Sequence, residues 1–343
     1  MILDAAERAW AALLQARARR YADGRWKSER LPKPTISVGN LTLGGTGKTP
    51  VVALLASKLS ELGLRPAVLS RGYGRRGTAP VVVSRGFGPL VGPEGGGDEP
   101  VELAALLPGV PIVVARRRAE AARLAADLGA GVFVLDDGFQ HLAVQRDLDL
   151  LLLDAKDPFG GGHLPPRGRL REGLAALSRA DAILFTRAEE PPDPAALATV
   201  SRWSPGAPIY HAKIRPAGLI DETGKPVRVS SAVAVCGVAR PNTFLATLAQ
   251  AGIAVTELLV FRDHQRYADR ELAQISRAAR RGQAGWIVTT GKDAVKLRGR
   301  MDRPLAVLRL EVDIAEPEFW TLVLSRLGAP AASAAPGDSA RGR

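Results

Sequence analysis

The sequence is short of several things, and each shortage removes a class of protein. One cysteine, Cys236, stands among 343 residues. No disulfide can form within the chain, and a reducing compartment, the cytoplasm, is expected. The histidines, His141, His163, His211 and His264, are scattered. With no CxxC and no paired His/Cys spacing, there is no zinc signature. Aromatic residues make up 5% of the chain, too few for the stacking platforms that hold single-stranded nucleic acid. A nucleic-acid partner is therefore not expected. No apolar run reaches the ~18 residues of a membrane span. Asp4, Glu7 and Arg8 interrupt the N-terminus where a signal peptide needs an apolar stretch, and no small-residue cleavage site follows.

The chain does have hydrophobic residues, at 46%, and a net charge of +12. The first supports a large core, and the length suits two domains. The second favours anionic partners, such as a nucleotide, a phosphorylated substrate or an acidic membrane face. A general arginine bias of the source proteome would account equally well for the bulk of the excess.

Residues 2–21 read as an amphipathic helix, with Leu3, Ala6, Trp10, Leu13 and Leu14 on one stripe and Arg8, Arg17, Arg19 and Arg20 off it. Such a helix can lie in a membrane interface or pack on its own domain. From Thr35 onward, short apolar runs alternate with helical patterns: "TISV", "PAVLS", "PVVVS", "GVFVLDD", "DLDLLLLD" and "DAILFTR". That alternation predicts βαβ units and a parallel sheet. Around 205–228 the pattern changes to two short extended runs and turns, read as a linker. A second α/β unit follows over 229–327, and from Gly328 the sequence is low in complexity and reads as a disordered tail. The expected boundaries are 1–30 for the helix, 31–205 for the first domain and 206–228 for the linker.

"LTLGGTGKTP" lies between a predicted strand and a predicted helix, the context of a phosphate-binding loop. The common loop has a glycine five residues before Gly47; here that position is Thr42. Gly44, Gly45 and Gly47 would let backbone N–H groups curl around phosphate oxygens, Lys48 would reach the β- and γ-phosphates, and Thr49 would ligate Mg²⁺. The alternative is a structural turn. Asp136 and Asp137 close an apolar strand at the edge where parallel sheets bind ligands, as metal ligands or as turn formers. Asp98 and Glu99 follow three glycines and precede a helix. They can cap it, or supply a metal ligand and a base. Asp263 and His264, in "FRDHQRY", fit a structural pair or a functional one. Arg71, Arg169 and Arg171 lie in glycine-rich loops after strands and suit anionic oxygens, or simply solvent.

Together "SVGNLTLGGTGKTP", "LSRGYGRR", "GDEPVELA", "LDDGFQH", "LPPRGRLRE", "FRDHQRY" and "TTGKDAVKL" resemble the tetraacyldisaccharide 4′-kinases, in the same order, over roughly residues 1–325. The resemblance implies an ATP- and Mg²⁺-dependent lipid-sugar kinase that forms lipid IVA in lipid A biosynthesis. It implies two α/β/α domains, the first P-loop-like, joined by a two-stranded linker, and an N-terminal helix on the cytoplasmic face of the inner membrane, with no obligate protein partner. It pairs Asp98 with His264 as a catalytic dyad beside Lys48, and Thr42, Leu43, Gly44, Gly45, Thr46, Gly47, Lys48 and Thr49 become the nucleotide loop. Thr49, Glu99, Asp136 and Asp137, with Gln140 nearby, become the Mg²⁺ surroundings. Asn40, Arg71, Tyr73, Arg169 and Arg171 become substrate contacts. Two rivals remain at this stage. A nucleotide-hydrolysing switch would carry a specificity motif that "LFTRAEE" matches poorly, and a nucleic-acid binder is argued against by the aromatic shortage.

Overall fold

A computed structural model describes residues 2–329. The low-complexity stretch from residue 330 onward lies outside the described residues. The chain begins with helix α1 (Ile2–Ala22). The first domain then runs β1 (Thr35–Asn40), α2 (Lys48–Glu61), β2 (Pro66–Ser70), β3 (Val81–Arg85), α3 (Pro93–Gly96), α4 (Asp98–Leu106), β4 (Pro111–Val114), α5 (Arg118–Asp127), β5 (Val132–Asp136), β6 (Leu148–Asp154), β7 (Ala182–Thr186) and α6 (Pro194–Trp203). The long strand β8 (Ile209–Ile220) leads out of it. The second domain contains β9 (Pro226–Val227), β10 (Ser231–Cys236), α7 (Pro241–Gln250), β11 (Ala254–Val260), α8 (Asp269–Arg281), β12 (Ile287–Thr289), α9 (Gly291–Leu297), β13 (Leu305–Asp313) and α10 (Pro317–Arg326).

The strands join one sheet in the order β11-β10-β12-β13-β8-β7-β6-β1-β5-β2-β4-β3, with β9 pairing β8. Pairing is parallel except for β3 with β4, β13 with β8 and β8 with β9. Strands β1, β5, β6 and β7 are buried along their whole length, as expected for parallel strands with helices on both faces. Because β1, β5 and β6 are parallel neighbours, the residues after them emerge on one edge. That edge holds Gly44–Thr49, Asp137 and Asp154. Strands β10, β11 and β12 are also parallel neighbours, and the loops after them carry Arg240, His264 and the start of α9.

The 206–228 stretch holds two strands, β8 and β9, but they are very unequal in length. Most of that stretch is the single strand β8. It pairs with β7 through Ile209–Ala212 and with β13 through Lys213–Ile220. The longer partner of β8 is thus β13, far along the chain, and β9 only closes a hairpin onto β8.

The N-terminal stripe also divides. Leu3, Trp10 and Leu13 are exposed, with Ala6 between them on the same face. Leu14, expected among them, instead packs with Ala11 against the core beneath β6 and β7. Asp4, Glu7, Ala11 and Leu14 recur at helical spacing and form the inward stripe. Glu7 Oε1 lies 3.0 Å from His163 Nδ1 and accepts from the Leu164 N–H at 3.0 Å, and Arg167 pairs with Asp4.

Candidate active site

The glycine-rich loop leaves β1 and enters α2 at Lys48. Its first turn explains why Thr42 stands where a glycine is usual. Thr42 forms a β-bridge with Leu170, the Leu43 N–H donates to the Arg169 carbonyl at 2.6 Å, and Arg171 N–H donates to the Leu41 carbonyl at 2.7 Å. An extended residue paired to a neighbouring loop needs no glycine. Gly47 does need to be one. Its φ is 79°, and a Cβ there would lie 2.6 Å from Ile214 Cδ1 on β8.

Lys48 Nζ donates to Asn40 Oδ1 at 3.1 Å and lies 3.5 Å from Asp137 Oδ1. Asn40 also donates to the Thr42 carbonyl at 2.6 Å and is wholly buried. It was expected among the substrate contacts. The structure instead uses its amide to shape the loop and aim Lys48, and its burial leaves nothing for a ligand to touch. Thr46 Oγ1 is buried with no hydrogen-bond partner, while the Thr46 carbonyl accepts from Thr186 Oγ1 at 2.8 Å. An orphaned hydroxyl inside a glycine-rich loop fits a phosphate oxygen.

At the end of β5, Asp136 Oδ2 accepts from Ser70 Oγ at 2.9 Å. Burial, reinforced by the charges of Glu99 and Asp137, pushes its carboxyl up to about 7. Asp137 goes the other way. Burial works against its charge, but Lys48 and Arg171 outweigh that and hold it near 2. Arg171 Nη1 reaches both Asp137 oxygens, at 2.8 and 2.7 Å. Arg171 is thus spent on a carboxylate, and Arg169 likewise pairs with Asp157. Gln140, expected near the metal, donates to the Asn40 carbonyl at 3.0 Å and stays a loop brace. Arg71 and Tyr73 are exposed.

Asp136 and Asp137 side by side after β5, with the charge of Glu99 acting on Asp136, suit a cation. Among the described residues no three His, Cys, Asp or Glu converge as a closed cage. Mg²⁺ needs no such cage, since it binds through one or two carboxylates plus phosphates and waters. The residues present therefore fit Mg²⁺ carried in with a nucleotide.

Also in the first domain, Asp98 opens α4, and His264 reaches it from the second. Gly97 before it has φ 92°, and a Cβ there would lie 3.0 Å from Gly72 Cα, so the glycine lets the Tyr73 loop close on the helix start. His264 Nδ1 lies 3.1 Å from Asp98 Oδ2, and the Tyr73 and His264 rings are 5.0 Å apart. His264, Asp137 and Arg187 all hold positive φ, 58°, 54° and 55°, a conformation that is costly away from glycine and gathers at functional sites. A cavity of about 1670 Å³ lies between the domains, lined by Lys48, Thr49, Glu99, Arg187, Arg240 and His264.

Several residues of this site carry no clear mark in the sequence. Asp154, fully buried at the end of β6, takes Arg187 from the first domain and Arg240 from the second. Arg187 also donates to the Gly45 carbonyl at 2.9 Å. Lys296 of α9 donates to Asp98. Glu102, one turn after Asp98 on α4, lies against Gly291 of α9. An aspartate at a strand end was a signal for Asp154, but "DLDLLLLD" reads first as a core strand, and its arginines come from distant loops.

A family model described as tetraacyldisaccharide-1-P 4′-kinase matches residues 1–328. The chain is similar to proteins named tetraacyldisaccharide 4′-kinase. One, from Anaeromyxobacter dehalogenans, is 41% identical over 306 residues, covering 87% of this chain and 80% of the relative. Another, from Geobacter metallireducens, is 39% identical over 314 residues, covering 90% and 92%. Among solved structures, the "apo" form of LpxK from Aquifex aeolicus in complex with ATP superposes with a TM-score of 0.78 at 32% identity, covering 95% of this chain and 98% of that one.

Proposed function

The chain belongs to the tetraacyldisaccharide-1-phosphate 4′-kinase family, and on that premise we propose how its own residues divide the work. The protein is an ATP-dependent kinase that moves the γ-phosphate of ATP to the 4′-hydroxyl of a tetraacyldisaccharide 1-phosphate, giving lipid IVA. The observation that carries the residue assignment is the Asp98–His264 contact, which joins the two domains beside the cavity lined by Gly44–Thr49.

In this reading the loop amides of Gly44–Thr49 cradle the phosphates, with the Thr46 hydroxyl completing the ring of donors. Lys48, held by Asn40, places its charge beside the β- and γ-phosphates. The 4′-oxygen attacks the γ-phosphorus. As that O–P bond forms, the bond to the β–γ bridging oxygen breaks and its electron pair leaves with ADP. Asp98 takes the hydroxyl proton, and His264 orients the carboxylate and shares the charge. Mg²⁺, when bound with the nucleotide, supplies neutralisation of the β- and γ-oxygens. Thr49, Glu99, Asp136 and Asp137 would hold it. Arg71 and Tyr73, both exposed and the latter with its ring beside His264, are left for the sugar and its phosphate.

The exposed face of Leu3, Ala6, Trp10 and Leu13 is the part that meets the lipid surface. No helix among the described residues is long and apolar enough to cross a membrane. An amphipathic helix with arginines on its flanks binds an anionic surface instead, on the cytoplasmic face where ATP is found.

Purified protein with ATP, Mg²⁺ and tetraacyldisaccharide 1-phosphate in mixed micelles should yield a lipid one phosphate heavier by mass spectrometry. Release of phosphate to water with no phosphorylated lipid would overturn the reading. Asp98→Asn and His264→Ala should each lower kcat with ATP affinity kept, and the double variant should be scarcely worse, because residues acting as a unit are not additive. Losses that multiply would mean independent roles.

A further inference from the structure

Two donors reach Asp98, and both choose the same oxygen. His264 Nδ1 lies 3.1 Å from Oδ2, and Lys296 Nζ donates to Oδ2 at 3.0 Å. Among the described residues, Oδ1 takes no hydrogen bond. A carboxylate held by two donors on one oxygen has a fixed plane and a second oxygen free to accept.

Lys296 is itself held firmly. Its side chain is 9% exposed. Its Nζ lies 3.4 Å from Asp293 Oδ1 and 5.5 Å from the centre of the Tyr267 ring. Asp293 is wholly buried, and its Oδ2 accepts from the Gly237 N–H at 2.8 Å and the Thr290 hydroxyl at 2.8 Å. The ammonium is thus tied to the end of β10 and the start of α9, so its position follows the second domain as a body. Every donor to Asp98 Oδ2 therefore arrives from across the cleft.

We propose that Lys296 is a positioning residue for phosphoryl transfer: with His264 it pins Oδ2 of Asp98 and so leaves Oδ1 as the proton acceptor for the sugar hydroxyl. The proposal rests on the reading of Asp98 as the base. An ammonium beside a carboxylate weakens it as a base, which would be a poor arrangement if basicity governed the rate. Phosphoryl transfer through a loose transition state depends on placement more than on base strength, and Lys296 gives up the one for the other. It also makes the base complete only where α4 and α9 pack together.

The test compares Lys296→Met, Lys296→Ala and Asp98→Asn in the full chain, with ATP-Mg²⁺ titration giving the binding-competent fraction of each. Lys296→Met should lower kcat roughly 100-fold, the scale of a misplaced catalytic group, with KM for ATP and for the lipid within about threefold of wild type. Ethylammonium added to Lys296→Ala should restore turnover saturably, since a small cation can refill the space beside Oδ2. In the Asp98→Asn background, Lys296→Met should cost nothing further. Three results would overturn the proposal: Lys296→Met turning over within about threefold of wild type, a loss confined to the KM for ATP, or no rescue by ethylammonium. If Asp98→Asn is inactive while Lys296→Met is not, only the role of Lys296 falls. If Asp98→Asn turns over normally, the base assignment falls and takes the lysine with it.

Discussion

Asp154 offers the sharpest test of how the two domains are held around the loop. Its carboxylate is fully buried and serves three donors. Arg187 and Arg240 both pair with Oδ2, and Oδ1 accepts from the Lys156 N–H at 3.0 Å. Arg240 comes from the second domain and continues to Asp157 at 3.3 Å. Asp154→Ala would leave two guanidinium groups facing each other with their common counter-charge gone. Breaking a buried pair in this way costs about 3–5 kcal/mol. The arginine side chains keep 17% and 21% of their surface in water, which places the estimate near about 3 kcal/mol. At roughly 2–4 °C per kcal/mol, the melting temperature should fall by about 6–12 °C. Asp154→Asn, which keeps an acceptor but not the charge, should fall by less. Arg187 also holds the Gly45 carbonyl, so freeing it should weaken ATP binding by roughly tenfold, the worth of one hydrogen bond to a charged group. Scanning calorimetry and titration calorimetry with ATP read the two effects separately. A melting point within about 2 °C of wild type would mean that the cluster behaves like an exposed ion pair, and the reasoning from burial would be wrong.

Lys48→Ala should lower turnover by roughly 100- to 1,000-fold with the far-UV spectrum unchanged, and near-normal turnover of the folded variant would sink the loop assignment. Trp10→Glu with Leu13→Glu should release the protein from anionic vesicles, because both side chains sit on the exposed stripe; unchanged sedimentation with vesicles would leave α1 a packing element only. Burial, with the charge of Glu99 adding to it, pushes the Glu102 carboxyl up to about 8 from its ordinary 4.5. The folded protein therefore keeps a proton that the unfolded chain releases, so this group subtracts stability as pH rises from 4.5 towards 8. Glu102→Gln should flatten that decline, and superimposable melting profiles across that range would refute it.

The fold was legible where burial is two-sided. Strands β5, β6 and β7 are mainly apolar, with Asp149 the one charged residue inside β6, and the aspartates closing β5 and β6 mark the ligand edge. At the domain connection the strands were legible but the length of β8 and its pairing with β13 were not. "PIYHAKIRPAGLI" contains Pro216 and Gly218, residue types that weaken or interrupt a strand. In the structure they flank a bulge: Gly218 pairs Arg309, Pro216 pairs Leu310, and Ala217 is left over. A bulge tolerates a proline that cannot donate to the ladder, and the partner strand that would have shown this lies in β13. The N-terminal stripe failed for a related reason. Leu13 and Leu14 are both apolar, and only the docking of Glu7 on His163 and Leu164 decides which faces inward.

The site divides in the same way. Residues whose chemistry is local could be read: a lysine after glycines, and carboxylates at a strand end. Residues whose chemistry is relational could not be read from their own neighbourhoods, and Asp98 and His264 are paired in the sequence only through the family resemblance. Lys296 and Asp98 are 198 positions apart, and nothing in "KDAVKL" states that its second lysine faces a carboxylate on another domain. Asp154 and Arg240 are similarly remote. These are also the groups that cross the cleft, and that follows from the reaction. A kinase that assembled its base within one domain could activate water as readily as the sugar, and would hydrolyse ATP with no acceptor present. On the proposed assignment of Asp98 as the base, its contacts with His264 and Lys296 make its geometry depend on how the domains meet. Contacts that cross from one domain to the other are long-range in sequence, and a reading of contiguous motifs passes over them.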